Sequence, residues 1–87
     1  MEVIRTSQFK KKQLRLPKAI QRSLAERVLL FLEDQHHPLL HNHPLQGEFF
    51  GCRSLNITGD YRLIFEMIDK NIIQLIDIDT HHNLYGS

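Results

Sequence analysis

Cysteine is nearly absent from the chain, and long apolar runs are absent altogether. Cys52 is the single cysteine among 87 residues, so an intrachain disulfide is impossible and a buried, inert thiol on a strand is the expected role. No apolar run is long enough to cross a bilayer, and no apolar segment follows a basic head at the N-terminus. We therefore expect a cytoplasmic protein with no membrane partner.

The length of the chain allows one compact core but not two. We accordingly expect a single domain over residues 1–87, and no repeat, linker or low-complexity segment divides it. The segment from Asp60 to Glu66 predicts its central β-strand, because apolar residues recur there at every second position. Shorter extended segments flank it at about residues 52–57 and 72–78, which predicts an antiparallel meander with one face open.

Two helices are predicted ahead of this meander, after a short first strand. Ser7 is the expected N-cap of the first helix, and Pro17 suits the first turn of the second. The second helix carries an apolar stripe that should cover the sheet, namely Ile20, Leu24, Val28, Phe31 and Leu32. The predicted fold class is α+β, in the order β-α-α-β-β-β, with two N-terminal helices packed on one face of a mainly antiparallel four-stranded sheet.

Charge is distributed unevenly, although its net value is only +1. Residues 1–32 carry eight Lys or Arg against two Glu, whereas residues 33–87 carry three against eight acidic residues. A helical region this basic can attract phosphates or an acidic partner, but charge alone supports a merely solvated helix face equally well.

Histidine is abundant, with six in the chain, and all of them lie in the predicted central loop or the tail. A metal site is disfavoured, because the His41-x-His43 and His81-His82 spacings match no standard structural zinc pattern. For His36, His37 and His82 we expect solvated positions without a functional role. Acid–base catalysis is the remaining hypothesis, because an ordinary imidazole has a pKa of about 6.5.

Four sequence elements stand out together. They are His43-Pro44-Leu45-Gln46-Gly47, Gly51-x-Arg53, Gly59-Asp60-Tyr61-Arg62-Leu63-Ile64-Phe65 and Asp79-Thr80-His81-His82-Asn83-Leu84-Tyr85. Together they resemble the RelE superfamily of bacterial and archaeal toxins, most closely its YafQ-like branch. The resemblance implies a toxin of a toxin–antitoxin pair that cuts mRNA on the translating ribosome, needs no metal or other cofactor, and is neutralised by a cognate antitoxin.

The implied reaction requires acid–base groups and positive charge. The ribose 2′-hydroxyl attacks its neighbouring phosphodiester and leaves a 2′,3′-cyclic phosphate and a free 5′-hydroxyl. A base must accept the proton of the 2′-hydroxyl, an acid must protonate the leaving oxygen, and cations must stabilise the transition state.

The resemblance also implies roles for individual residues. His81 is the expected general acid, and His43 is a candidate base or phosphate contact. Asp60 competes for the role of base or orients a histidine, and Tyr85 is expected to stack on an RNA base. The alternative for each of these residues is an ordinary turn or packing role.

Basic residues complete the implied site. Arg53 and Arg62 are expected to clamp the scissile phosphate, because guanidinium groups match phosphate oxygens, unless they form cross-strand ion pairs instead. The first helix is expected to grip rRNA phosphates while mRNA occupies the open sheet face. Its basic residues are Lys10, Lys11, Lys12 and Arg15.

The chain also departs from these families. Ser54 and Asn56 stand where YafQ-like toxins carry an acid and a further histidine, and RelE-like toxins carry an arginine in place of His81. The choice of base between His43 and Asp60 therefore stays open. A ParE-like inhibitor of DNA gyrase and a catalytically weak antitoxin-binding module are the alternative functions on the same fold.

Overall fold

The computed structural model of the protein describes residues 1–86 and has one five-stranded mixed sheet. The strands are β1 (Glu2–Arg5), β2 (His43–Pro44), β3 (Arg53–Asn56), β4 (Tyr61–Asp69) and β5 (Ile72–Thr80), and the α-helices are α1 (Ser7–Arg15), α2 (Lys18–Glu33) and α3 (His81–Tyr85). Two 3-10 turns, Pro38–Leu40 and Gly47–Phe49, flank β2. The strand order is β1-β5-β4-β3-β2; β1 runs parallel to β5 and the other neighbours are antiparallel.

The predicted α+β class and element order are confirmed, with two additions. The sheet has five strands rather than four, because His43 and Pro44 pair with Ser54 and Arg53 and form a short edge strand. The tail, for which no helix was predicted, forms α3. Both elements are too short to have a sequence period of their own, so they depend on contacts with the rest of the fold.

Helix α1 begins at a different cap from the predicted one. Thr6, not Ser7, is its N-cap, and the Thr6 hydroxyl accepts a hydrogen bond from the N–H of Phe9 at 3.1 Å. The same hydroxyl donates to the carbonyl of Ile76 at 3.1 Å, which ties the start of the helix to β5. Pro17 is the N-cap of α2. No helix within residues 1–86 is long and apolar enough to span a membrane.

The main core lies between α1, α2 and one face of the sheet. Phe9, Leu24 and Phe31 are buried there against alternate residues of the central strands. These residues are Leu55, Leu63, Phe65, Ile73, Leu75 and Ile78 of the strands and Ile57 directly after β3. Of the predicted stripe on α2, Leu24, Val28 and Phe31 pack in this core, whereas Ile20 is half-buried and Leu32 is 39% exposed.

A smaller apolar cluster covers part of the opposite face. Leu45, Ile64 and Leu84 are buried in it, and four half-buried residues pack around them, namely Phe49, Cys52, Ile76 and Tyr85. The cluster fastens α3 and the loop after β2 to the sheet. Burial, with the nearby charge of Glu66, raises the pKa of the Cys52 thiol, so the thiol is a poor nucleophile at neutral pH.

An ion pair between one lysine and two aspartates joins the first helix to the last strand. The Lys12 ammonium lies 2.8 Å from the carboxylate of Asp77 and 3.1 Å from that of Asp79. Asp79 also accepts hydrogen bonds from the Thr80 N–H and the Asn83 side-chain amide. Although burial opposes ionisation, these contacts raise the pKa of Lys12 and lower the pKa of Asp79.

Replacing Lys12 with Met should lower the free energy of unfolding by about 1–2 kcal/mol, because the 7% exposed Asp77 loses its cation. Solvent around the half-exposed lysine keeps the loss from being larger. Urea unfolding measures this effect. Lys10→Met, on the exposed side of α1, is the control and should change the free energy by less than about 0.5 kcal/mol.

The effect of Lys12→Met should also depend on pH. The lowered pKa of Asp79 contributes stability above the unfolded value of about 3.9, and this contribution disappears as the pH falls through the folded value. The raised pKa of Lys12 contributes below the unfolded value of about 10.4, and this part disappears as the pH rises through the folded value. Equal destabilisation by Lys12→Met at pH 7 and at acid pH would contradict this account.

Candidate active site

A cleft of about 200 Å³ opens on the sheet face that α1 and α2 leave uncovered. It is lined by His41, His43, Ser54, Asn56, Arg62, His81 and Tyr85. No carboxylate is among these lining residues, and Arg62 supplies a permanent positive charge. The composition of the cleft therefore suits an anionic ligand.

The pairing of β3 with β4 determines which side chains reach the cleft. Asn56 pairs with Arg62, and Ser54 pairs with Ile64, so these four side chains point to the same face. The residues between them, such as Leu55, turn to the main core. Side chains along β3 therefore alternate between the cleft and the main core.

Arg62 is the second residue of β4, and two backbone carbonyls hold its side chain. Its Nη1 group donates to the carbonyl of Thr58 at 2.9 Å and to that of Tyr61 at 3.0 Å. Within residues 1–86, its remaining N–H groups make no hydrogen bond. The guanidinium is thus held in place and still has donors for a ligand.

The tautomer of His43 follows from its hydrogen-bond partner. Its Nδ1 lies 2.8 Å from the carbonyl oxygen of His41. Because a carbonyl only accepts, Nδ1 must carry the proton, and the neutral ring then has its lone pair on Nε2. His43 can therefore accept a proton through Nε2.

His41 is a cleft residue to which the sequence analysis gave no catalytic role. Its ring centroid lies 4.6 Å from that of His43. Its backbone has a φ of 45°, and it is the only non-glycine residue with positive φ within residues 1–86. A left-handed residue outside glycine costs free energy and often occurs at a functional site. No local sequence pattern predicts this conformation.

His81 is held by the backbone at the start of α3. Its N–H donates to the carbonyl of Asp60 at 2.8 Å, and Thr80 caps the helix by accepting from the N–H of Asn83. The His81 ring meets the Tyr85 ring with centroids 4.7 Å apart. Tyr85 also packs against Phe49, at 6.1 Å.

Three buried side-chain polar atoms make no hydrogen bond within residues 1–86, and all three belong to residues that line the cleft. They are Ser54 Oγ, Asn56 Oδ1 and the Tyr85 hydroxyl. An unpaired buried group costs about 1–3 kcal/mol. Because this cost is concentrated in one place, the cleft has the character of a site for a polar ligand.

Asp60 and Arg53 lie outside the cleft. Asp60 is exposed and contributes its backbone carbonyl, not its carboxylate, to the contact with His81. Arg53 pairs with Phe65, so its side chain lies on the helix-facing side, where it lines a separate depression of about 230 Å³. The expectation that Arg53 and Arg62 clamp one phosphate is therefore not supported, because they lie on opposite faces of the sheet.

The basic residues of α1 divide into two groups. Lys12 is engaged by Asp77 and Asp79, so the structure does not support its predicted role as a phosphate contact. Lys10, Lys11 and Arg15 are exposed. Within residues 1–86 no group of three or more His, Cys, Asp or Glu is arranged to hold a metal ion.

Comparison with known proteins gives the family. The YafQ toxins, described as bacterial toxins of type II toxin–antitoxin systems, match residues 1–86. A crystal structure of YafQ from E. coli strain BL21(DE3) is 22% identical, with a TM-score of 0.79 over 98% of both chains. A chain of the E. coli DinJ–YafQ complex is 25% identical, with a TM-score of 0.70 over 98% of both chains. No curated protein sequence matches significantly.

A YoeB/ParE toxin from Agrobacterium tumefaciens shares the fold as well, with 16% identity and a TM-score of 0.77 over 93% of this chain and 99% of that one. The fold is thus that of small toxins with a mixed sheet. The chain belongs to the YafQ family of bacterial toxins of type II toxin–antitoxin systems. The resemblance noted in the sequence is confirmed.

The unpaired atoms of the cleft allow a test of stability. Ser54→Ala should leave the free energy of unfolding unchanged or raise it by up to about 1 kcal/mol, because it removes a buried hydroxyl that has no partner. Thr6→Ala is the control, because the Thr6 hydroxyl caps α1; it should cost about 1 kcal/mol. Urea unfolding measures both, and a loss at Ser54 as large as that at Thr6 would show that the Ser54 hydroxyl is already satisfied.

Proposed function

We propose that this toxin is an endoribonuclease that cuts mRNA on the ribosome, with the cleft between His43 and His81 as its active site. The cleft combines three imidazoles with a fixed guanidinium, and no acidic side chain within residues 1–86 lines it. The three residues whose buried side-chain polar atoms are unpaired within residues 1–86 all line it as well. This combination is the observation that carries the proposal, because RNA cleavage requires proton transfer beside a phosphate.

In the proposed reaction His43 is the general base. Its Nδ1–H is held by the His41 carbonyl, so Nε2 accepts the proton of the attacking 2′-hydroxyl. Asp60 is the weaker candidate, because its carboxylate does not line the cleft. The 2′-oxygen then attacks the phosphorus and the bond to the 5′-oxygen breaks.

His81 is the proposed general acid and gives its proton to the leaving 5′-oxygen. Arg62 stabilises the negative charge that develops on the phosphoryl oxygens, since its free N–H groups are already in place. Proton transfer by positioned groups contributes about 10² to 10⁴ in rate. Each imidazole ends the reaction in the opposite protonation state, and exchange with water restores the pair.

The unpaired polar atoms would hold the nucleotide. Ser54 Oγ and Asn56 Oδ1 are placed to bond with hydroxyl or amino groups of the ribose or base. The Tyr85 ring packs against two aromatic neighbours, His81 and Phe49, so its hydroxyl is a better candidate for RNA contact than its ring face. We therefore propose that Tyr85 contacts RNA through a hydrogen bond of its hydroxyl, instead of the expected stacking of its ring on a base.

The proposed partners are the ribosome and a cognate antitoxin. Lys10, Lys11 and Arg15 form an exposed basic surface on α1 that suits rRNA phosphates. The E. coli relative was crystallised in the DinJ–YafQ complex, and we propose a corresponding antitoxin for this chain. A toxin that acts on translating ribosomes works in the cytoplasm.

Primer extension on an mRNA in a bacterial translation extract tests the activity. We expect discrete cuts within the reading frame that fall by at least about 10² in rate with His81→Ala. His82→Ala is the matched control, because its side chain is exposed and does not line the cleft. Uncut mRNA with gyrase supercoiling inhibited would favour a ParE-like activity; uncut mRNA without that inhibition would favour an antitoxin-binding module.

Charge reversal tests the ribosome contact. Lys10→Glu with Lys11→Glu should slow cleavage on ribosomes, and the deficit should shrink as ionic strength rises, because salt weakens the phosphate contacts of the wild type that the variant lacks. Lys70→Glu, in the turn between β4 and β5, is the control and should cleave at the wild-type rate. Lys12 stays unchanged, since its loss would also break the ion pair with Asp77. Normal cleavage by the double variant would exclude this surface as a ribosome contact.

A further inference from the structure

Within residues 1–86 the Arg53 side chain makes one hydrogen bond, which joins it to the loop that carries His41 and His43. Its Nε donates to Asn42 Oδ1 at 2.8 Å, and Asn42 Nδ2 donates to the carbonyl of Gln35 at 3.0 Å. These partners determine the orientation of the amide, because arginine only donates and a carbonyl only accepts. Asn42 is thereby fixed at both ends of its side chain.

Asn42 stands between the two histidines that line the cleft together. Its side chain joins Gln35, Arg53 and Phe65 in the depression on the helix-facing side, whereas His41 and His43 line the cleft on the open side. Rotation of this segment would therefore move all three side chains together. The two hydrogen bonds of the Asn42 side chain therefore fix the direction in which the His41 and His43 rings point.

The segment of residues 41–43 also requires such a constraint. His41 has a φ of 45°, and a left-handed residue other than glycine persists only when its surroundings determine it. The His41 carbonyl is the acceptor that sets the tautomer of His43. If the segment relaxed, the carbonyl would turn away and the proton of His43 could move to Nε2, where it would block the base.

We propose that Arg53 is a positioning residue, which acts through Asn42 from the opposite face of the sheet to hold His41 and His43 in the geometry that leaves Nε2 of His43 free. The proposal deepens the proposed function, because it assigns the support of the base on which that function rests. It also gives Arg53 a role in place of the phosphate contact.

Nuclear magnetic resonance of the imidazole nitrogens tests the positioning without substrate. In the wild type, His43 should show a protonated Nδ1 and an unprotonated Nε2, and the Arg53 Nε–H should exchange slowly. Asn42→Ala should mix the two tautomers and speed exchange at Arg53. Asn42→Asp keeps the oxygen that accepts from Arg53 but removes the N–H that donates to the Gln35 carbonyl, so it should disturb the His43 signals less than Asn42→Ala does. Unchanged His43 signals in Asn42→Ala would overturn the proposal.

A double-mutant cycle in the cleavage assay tests the consequence for rate. Arg53→Ala and Asn42→Ala should each lower kcat by about tenfold or more with little change in KM, as loss of second-sphere support does. The double variant should be no worse than Asn42→Ala alone, because Arg53→Ala breaks a contact that Asn42→Ala has already removed. Multiplying effects would overturn the proposal, since Arg53 would then act independently of Asn42.

Arg5→Ala is the control for the general loss of an arginine hydrogen bond, since Arg5 donates to Gln13 at 2.8 Å on the surface. It should leave both kcat and the His43 signals unchanged. A wild-type protein that cuts no RNA would refute the proposed function, yet the nitrogen signals would still decide whether Arg53 and Asn42 position His43. The two failures are therefore distinguishable.

Discussion

Strand β4 is the central strand of the sheet, so both of its faces require cover. Leu63 and Phe65 meet the helices, while Ile64 meets Leu84 of α3 and Leu45 of the loop after β2. The helices cover most of the first face, but the small cluster closes only part of the second. The part that stays open, around Arg62, is where the cleft forms. Because Leu84 and His81 belong to the same short helix, the packing of Ile64 also positions His81.

The meander and the two long helices could be predicted because each has a clear period in the sequence. The alternation over β4 and the stripe on α2 repeat several times, and each repeat supports the same assignment. The N-cap was misplaced by one residue because Thr6 and Ser7 are both good caps; the hydrogen bond from Thr6 to Ile76 decides between them. The strand His43–Pro44 and helix α3 have no period, and only tertiary contacts define them.

The site was predictable to the extent that motif residues gather around one face. His43, His81, Tyr85 and Arg62 do so. The position of Arg53 could not be predicted in this way. The face on which its side chain lies depends on the register between β3 and β4, and a shift of one residue would exchange the two faces. The spacing of two between Arg53 and Leu55 puts both on one face of a strand, but only the pairing of Arg53 with Phe65 shows that this face lies under the helices.

The basic N-terminal half and the acidic C-terminal half also neutralise one another in part. Lys12 is directed inward by Asp77 and Asp79, which leaves its neighbours on α1 to face solvent. Counting charge along the sequence therefore overstates the surface available to phosphates. Position on the helix decides whether a lysine supports the fold or remains available to a ligand.

Within residues 1–86 no acidic side chain lines the cleft, and this changes how its histidines can be oriented. An acidic side chain often holds an imidazole and balances the charge it gains on protonation. Here a backbone carbonyl orients His43, and a carbonyl fixes the tautomer without offering a full negative charge. The left-handed backbone at His41 is then the conformational cost of orienting the His43 ring without an acidic partner.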